Sequence, residues 1–241
     1  MSQLFSDEKH LFRKQFSDDV EMQTWEAKEM NLKAHVVCGP CNNGWMSEFE
    51  NNRAKPAMRD LIISDNPVQL TFERIAAIVA FGYKTAVVCH AMQRHESPYF
   101  PKDVFSPNRL LRFRKSLTVP LGIQVWLACI SATDVRNGVV RLRYAKSPVG
   151  APNPFKLYVC TFGAGRFLMQ VVATEWTKSY ARRRSVPALA ADPRLNEIAV
   201  PVWPNGGQSV IWPPRKHLRG DAVNQFSDRW QRFTVPTFSI V

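Results

Sequence analysis

The sequence predicts an α+β protein, on three observations. Residues 72–92 form a long run that is apolar on nearly every helical face, which is typical of a buried helix. After Pro98, short segments with alternating or β-branched residues are separated by turn-like breaks, as in an antiparallel sheet. A C-x-x-C turn from Cys38 to Cys41 precedes both regions. We therefore expect a small N-terminal segment joined to a larger domain with a buried helix and an antiparallel β-sheet.

The N-terminal part is expected to be helical. The pattern from residue 6 to 16 predicts a short helix, with Ser6 as its N-cap and acidic residues in its first turn. Residues 18–33 are polar and give a weak helical signal. Apolar residues then recur at helical spacing through residues 47–62, and Pro56 is expected to kink or split that helix.

Asp65-Asn66-Pro67 is a break that we interpret as a domain boundary, which divides the chain into residues 1–64 and 65–241. The helix at 72–92 follows it. Residues 200–214 are rich in proline around two tryptophans and predict an ordered loop with an edge strand. Residues 221–233 predict a final amphipathic helix. The expected strands are residues 117–119, 122–130, 139–144, 155–161 and 167–173.

Composition restricts the class of protein. With 45% hydrophobic and 22% charged residues, the chain can bury a core and does not read as disordered. The apolar stretch at residues 75–83 is too short to span a bilayer, and the N-terminus lacks the pattern of a secretory signal. Five cysteines with one close pair favour a reducing compartment over a disulfide framework. We expect a cytoplasmic protein without a membrane partner.

Charge is distributed unevenly along the chain. The net charge is +12, but residues 1–60 hold 8 Lys and Arg against 10 Asp and Glu, so residues 61–241 carry +14. A strongly basic region indicates a polyanionic partner, most plausibly nucleic acid. The alternative from charge alone is an ordinary basic surface.

The Cys38–Cys41 spacing suits a metal. Two thiolates at this spacing fit around one tetrahedral Zn²⁺ ion, and Gly39-Pro40 supplies the tight turn between them. Zinc takes four ligands, and no second C-x-x-C exists in the sequence. The alternative is a pair of reduced surface thiols. The other cysteines lie in apolar stretches and are expected in the core: Cys89, Cys129 and Cys160.

Residues 36–62 resemble the closing half of an HNH nuclease module, also called a ββα-metal or His-Me finger. More narrowly, they resemble a group of HNH-like proteins whose zinc half-site reads Val-Cys-x-x-Cys-Asn-x-Gly-Trp-Met-x-x-Leu-Glu, with Phe49 here in place of Leu. The matching residues are Val37, Cys38, Cys41, Asn42, Gly44, Trp45, Met46 and Glu50.

The resemblance implies roles for particular residues. Cys38 and Cys41 would bind a structural Zn²⁺ in a small, treble-clef-like remnant. Asn42, directly after the second Cys, would be a ligand of a catalytic divalent ion, Mg²⁺ or another. His10 would be the general base that activates water. Such modules carry a first C-x-x-C before the His, but only nine residues precede His10 and none is Cys, so the resemblance is to an N-terminally truncated or degenerate member.

His10 also has a simpler interpretation, as an exposed histidine on a helix. Two basic clusters are expected to contact phosphates, although each alone is also compatible with a solvated face. Together with the +14 charge of their region, they favour nucleic-acid contact. The clusters are Arg112, Arg114 and Lys115, and Arg182, Arg183 and Arg184.

Three function hypotheses follow. The first is a metal-dependent HNH-type endonuclease that hydrolyses phosphodiester bonds, with DNA as the expected substrate, and that lacks the first zinc half-site. The second is a non-catalytic nucleic-acid-binding protein derived from an HNH fold. The third is an unrelated binding role for the larger domain, with the charge incidental.

Overall fold

The computed structural model describes residues 10–15, 23–27, 36–64, 66–92, 101–131, 139–146, 155–176, 198–204 and 209–228. In the first two of these segments only the backbone is described. The described residues form helices and largely antiparallel sheets, which confirms the α+β class.

A large sheet forms the centre of the described structure, with seven strands in the order β2-β1-β5-β6-β7-β4-β8. Neighbouring strands are antiparallel except β1 and β5, which are parallel. Two further strands, β3 and β9, pair antiparallel in a second small sheet. The strands are β1 His10–Gln15, β2 Gln23–Ala27, β3 Val68–Leu70, β4 Ile123–Cys129, β5 Val139–Lys146, β6 Phe155–Ala164, β7 Phe167–Trp176, β8 Ala199–Trp203 and β9 Val210–Trp212.

Helical residues 39–63 follow the Cys turn. They alternate between α-helix and wider π-helical turns at Asn42–Met46 and Glu50–Ala54. Gly44 has non-helical backbone angles and separates the first turn from the longer helix after it. The α-helices of the described residues are α1 Gly39–Cys41, α2 Ser47–Phe49, α3 Lys55–Ile63, α4 Phe72–Ala91, α5 Pro107–Ser116 and α6 Ala222–Asp228.

The large sheet is buried on both faces along β4, β6 and β7. Because side chains alternate along a strand, β4 sends Val125 and Leu127 to one face and Trp126 and Ala128 to the other. The first face packs with the helices α3 and α4, and the second packs with residues 218–226. The arrangement is therefore helix, sheet and helix in three layers.

Buried hydroxyl groups fix α4 to its neighbours. Tyr158 of β6 donates a hydrogen bond of 2.9 Å from its hydroxyl to the carbonyl of Ala86. Tyr83 donates a similar bond of 3.0 Å to the carbonyl of Val104, ahead of α5. Each bond satisfies a polar group that would otherwise be costly to bury. They hold α4 against the sheet and against the segment that leads into α5.

The core is continuous across residues 65–67, where the sequence suggests a domain boundary. Met58 and Leu61 of α3 belong to the same hydrophobic cluster as Ile78 of α4 and Met169 of β7. Gly165, in the turn between β6 and β7, also lies against Ile62. Among the described residues, the segments on the two sides of this break therefore share one hydrophobic core.

Several sequence predictions of secondary structure are confirmed. The buried helix at residues 72–92 is α4, and four of the five expected strands are β4, β5, β6 and β7. Residues 200–214 include most of β8 and all of β9. The final helix is found in part as α6. The cysteines expected in the core, Cys89, Cys129 and Cys160, are all buried.

Other predictions are wrong. The helix expected at residues 6–16 is not formed, since His10–Gln15 is the strand β1, and the weakly helical segment after it contains β2. Pairing of β1 with β5, far along the chain, overrides a weak local preference. The strand expected at residues 117–119 is a connection that follows α5, because Leu117 turns left-handed with φ of 55° and ends that helix. Helix α5 itself was not predicted.

Candidate functional site

The Cys turn, residues 38–45, begins with Cys38 as the N-cap of α1. The backbone of Cys38 is extended, and the N–H of Cys41 donates a hydrogen bond of 3.2 Å to the Cys38 sulfur. Pro40 lies at the start of the helix, where its missing N–H costs nothing. Cys38 is exposed and Cys41 is partly buried. The turn therefore presents one accessible sulfur with the second directly behind it.

The two thiols have opposite pKa shifts. The side-chain hydrogen bond from Cys41 lowers the pKa of Cys38, and the backbone N–H of Cys41 adds to this effect. The same side-chain bond raises the pKa of Cys41, with burial adding to it. Hydrogen bonds to a sulfur favour its thiolate form, whereas donating a thiol proton favours the neutral form. Cys38 is therefore the more easily ionised of the two.

Aromatic packing joins the Cys turn to α5. Trp45 lies edge-on to Phe113, with ring centroids 6.2 Å apart. Phe113 is buried and also meets Tyr83 of α4 edge-on at 4.9 Å. Edge-on aromatic pairs stabilise a fold by more than the burial of their surface area alone. Trp45, a residue of the C-x-x-C-N-x-G-W pattern, thus fixes the position of the turn relative to α5.

A basic face lies on α5 around the buried Phe113. Arg112, Arg114 and Lys115 are exposed, and the charge of Arg114 lowers the pKa of both Cys38 and Cys41. Phe113 of the same helix contacts Trp45 of the turn, so this basic face lies next to the Cys turn. The structure therefore brings together two features that the sequence identified separately.

Glu50, the last residue of the matched pattern, forms an ion pair with Lys84 of α4. The Lys84 side chain is largely buried, and its ammonium also lies 4.9 Å from the centre of the Phe81 ring. Phe49 beside it is buried in the core. These contacts give Glu50 and Phe49 a role in attaching the helix after the Cys turn to α4.

The residues described around the Cys turn do not complete a metal site. Among the described residues, no group of three or more His, Cys, Asp or Glu side chains is placed to hold an ion. A tetrahedral zinc needs four ligands, and this part of the chain supplies Cys38 and Cys41 only. Asn42 is exposed, and its side-chain amide nitrogen donates a hydrogen bond of 3.3 Å to the side-chain oxygen of Asn43. The described residues therefore supply two of the four zinc ligands and, at Asn42, one neutral oxygen for a divalent ion.

The other predicted site residues are placed as follows. His10 is the first residue of β1, and its side chain lies outside the described part of the structure. Arg182, Arg183 and Arg184 also lie outside the described residues. The structure consequently brings together Cys38, Cys41, Asn42 and the cations of α5.

A groove that sequence reasoning missed lies between α3, α4 and the segment after α5. Its volume is about 970 Å³, and its walls include Ala57, Phe72, Ala76, Val119 and Trp203. Phe72 is 55% exposed although it is large and apolar. The sequence did contain one signal for this groove. Helix α4 is apolar on nearly every face, and an apolar face that no other element covers can line a groove.

Comparisons add no relative to this description. No protein-family model matches the chain, and neither a curated protein nor a solved structure matches it. Within the part of the chain that the structure describes, no helix is both long and apolar enough to cross a membrane.

Proposed function

We propose that this protein binds nucleic acid, with DNA as the expected partner, through the basic face of α5 and the adjacent Cys turn. The observation that carries the proposal is the exposed basic face of α5, which the contact between Trp45 and Phe113 holds beside the Cys turn. An exposed patch of Arg and Lys is the chemistry that contacts phosphates. The +14 net charge of residues 61–241 supports the same partner.

The geometry favours contact with the backbone over reading of bases. Phe113 faces inward between Arg112 and Arg114, so the helix presents cations and keeps its aromatic ring in the core. Trp45 is likewise packed against Phe113 and is not free to stack on a base. We therefore expect binding to depend strongly on salt and weakly on sequence.

Binding is tested by removing the three exposed cations together. The variant Arg112→Gln, Arg114→Gln, Lys115→Gln is titrated against a labelled DNA duplex and a labelled single-stranded RNA by fluorescence anisotropy. The matched control replaces three exposed arginines elsewhere: Arg59, Arg215 and Arg219. We expect the α5 variant to lose about a hundredfold in affinity at 0.1 M salt if each cation neutralises a phosphate. Equal losses in the two triple variants would contradict the proposal.

A second proposal is that this surface belongs to a metal-dependent endonuclease of HNH type. Two observations favour it. Asn42 is exposed directly after Cys41, on the same turn as the thiols near Arg114. The antiparallel pair β1 and β2, which begins with His10, precedes the helix in the chain, an order of elements that suits a ββα module.

The nuclease proposal is tested by nicking of supercoiled plasmid with added Mg²⁺ or Mn²⁺. We expect cleavage by the unaltered chain and its loss in Asn42→Ala and His10→Ala. Asn52→Ala is the control, because Asn52 is equally exposed on the following helix. Absence of metal-dependent cleavage, or cleavage that is unaffected by the first two changes, would leave the binding proposal alone.

A further inference from the structure

The two thiols of the Cys turn are better arranged for chemistry with each other than for a four-ligand metal site. The backbone N–H of Cys41 donates a hydrogen bond of 3.2 Å to the Cys38 sulfur. Cys38 is exposed at the N-cap of α1, while Cys41 is partly buried behind it. Among the described residues, no third or fourth metal-binding side chain is grouped with the pair. An accessible sulfur, with a second sulfur in reach, is what a dithiol needs to exchange with a disulfide.

We propose that Cys38 and Cys41 form a redox-active dithiol that is reversibly oxidised to an intramolecular disulfide by a small disulfide of the glutathione type. The inference is independent of nucleic-acid binding. It interprets the two cysteines as a site of reversible oxidation by a small disulfide, and not as half of a zinc site.

The exchange takes two steps and is balanced. The Cys38 thiolate attacks one sulfur of the small disulfide, which forms a mixed disulfide and releases one small thiolate. The Cys41 thiolate then attacks the Cys38 sulfur, which closes the intramolecular bond and releases the second small thiolate. The protein dithiol loses two electrons and two protons, and the small disulfide becomes two thiols. The reverse sequence reduces the protein.

The geometry assigns the order of attack. Cys38 is the attacking residue because it is exposed and accepts the 3.2 Å hydrogen bond from the Cys41 N–H, which stabilises negative charge on sulfur. Cys41 is the resolving residue, since its partial burial makes it less accessible to the small disulfide until Cys38 has reacted.

The three cysteines outside the Cys turn serve as an internal control. The thiols of Cys89, Cys129 and Cys160 are buried in the core. Burial raises the pKa of Cys129 to about 11 and holds that of Cys160 well above the usual range. Buried, neutral thiols are poor nucleophiles. Oxidation confined to the Cys turn is therefore a specific expectation.

The test uses the full chain after treatment with a chelator, equilibrated in mixtures of reduced and oxidised glutathione. After denaturation and alkylation, trypsin releases residues 34–53 as one peptide that holds both cysteines of the turn. We expect this peptide to change from a doubly alkylated form to an unalkylated disulfide, two hydrogen atoms lighter than the free dithiol, as the buffer becomes oxidising, and to revert on reduction. The three core cysteines should remain alkylated throughout.

Two variants assign the roles. Cys41→Ser should accumulate a mixed disulfide on Cys38, because the resolving thiol is missing. Cys38→Ser should form a mixed disulfide on Cys41 about tenfold more slowly, since Cys41 is less accessible and less ionised.

Three results would overturn the proposal. They are a Cys turn that stays reduced in oxidising buffer, core cysteines that oxidise as readily as the turn, or a chain that retains one Zn²⁺ through both thiols and resists oxidation. None of these results depends on binding or cleavage of nucleic acid, so the redox and nucleic-acid proposals can fail separately.

Discussion

Trp45 stands edge-on to Phe113, with ring centroids 6.2 Å apart and ring planes inclined at 75°. This contact joins the turn that carries Cys38 and Cys41 to the helix that carries Arg112, Arg114 and Lys115. Without it, the thiols and the cations would be two unrelated surface features.

Replacing Phe113 with Ala should destabilise the fold and detach α5 from the Cys turn. Phe113 is 2% exposed and packs against both Trp45 and Tyr83, so its removal leaves a cavity that costs about 3–5 kcal/mol. Leu111→Ala is the control, because Leu111 lies on the same helix but is 54% exposed. Denaturant unfolding measures both changes. A cost for Phe113→Ala no larger than that of the control would contradict the packing described.

The ion pair between Glu50 and Lys84 should contribute more than a surface pair. Only 11% of the Lys84 side chain is exposed, so Glu50→Ala leaves a largely buried ammonium without its partner and should cost about 1–3 kcal/mol. Glu48→Ala, on the same helix but exposed, should change stability by less than about 0.5 kcal/mol. Adding Lys84→Met to Glu50→Ala should recover part of the loss. Equal effects of the two Glu substitutions would show that the pair is not stabilising.

The turn between β6 and β7 should tolerate only glycine at position 165. Gly165 has φ of +57°, and a Cβ there would lie 2.8 Å from the carbonyl oxygen of Ile62. Gly220 has a similar φ of +47° with open space around it, which makes Gly220→Ala a control for the backbone cost alone. We expect Gly165→Ala to be about 1–3 kcal/mol more destabilising than Gly220→Ala in thermal or denaturant unfolding. Similar losses would mean that the turn does not press on α3.

Much of this fold could be predicted from local patterns. Helix α4 is apolar enough to be recognised alone, and β4, β5, β6 and β7 show the β-branched and alternating residues of strands. Strands β1 and β2 could not be recognised in this way. The chain around them is polar, and β1 pairs with both β2 and the distant β5, so partners outside the strand itself decide its structure. Helix α5 was missed although Ser106-Pro107 is a recognisable helix start, because cations outnumber its apolar residues.

The candidate site was predictable only in its parts. The Cys38–Cys41 spacing identified the turn. The run of cations identified the basic cluster, although not the helix α5 that carries it. Their proximity depends on the contact between Trp45 and Phe113, which no local pattern encodes. The sequence likewise could not show that Glu50 is paired with Lys84, since that pairing depends on how the helix after the turn packs on α4.

The pH dependence of thiol alkylation should distinguish Cys38 from Cys41 in the metal-free protein. Alkylation follows the thiolate, and a lowered pKa means that the thiolate appears at lower pH. Cys38 should therefore reach half of its maximal alkylation rate at a lower pH than an ordinary thiol, and Cys41 at a higher one. In Cys41→Ala the midpoint for Cys38 should rise, because the side-chain hydrogen bond that lowers its pKa is removed. Coincident midpoints for the two thiols would contradict the arrangement of the turn.

The central claim is that the basic face of α5, next to the Cys turn, contacts the phosphates of nucleic acid. The most direct measurement is the slope of log Kd against log salt concentration for a DNA duplex, compared between the unaltered chain and the α5 triple variant. We predict that the slope falls by about 1 for each of Arg112, Arg114 and Lys115 that is replaced, while the Arg59, Arg215 and Arg219 control keeps the original slope. An unchanged slope in the α5 variant, or binding that is insensitive to salt, would contradict the account.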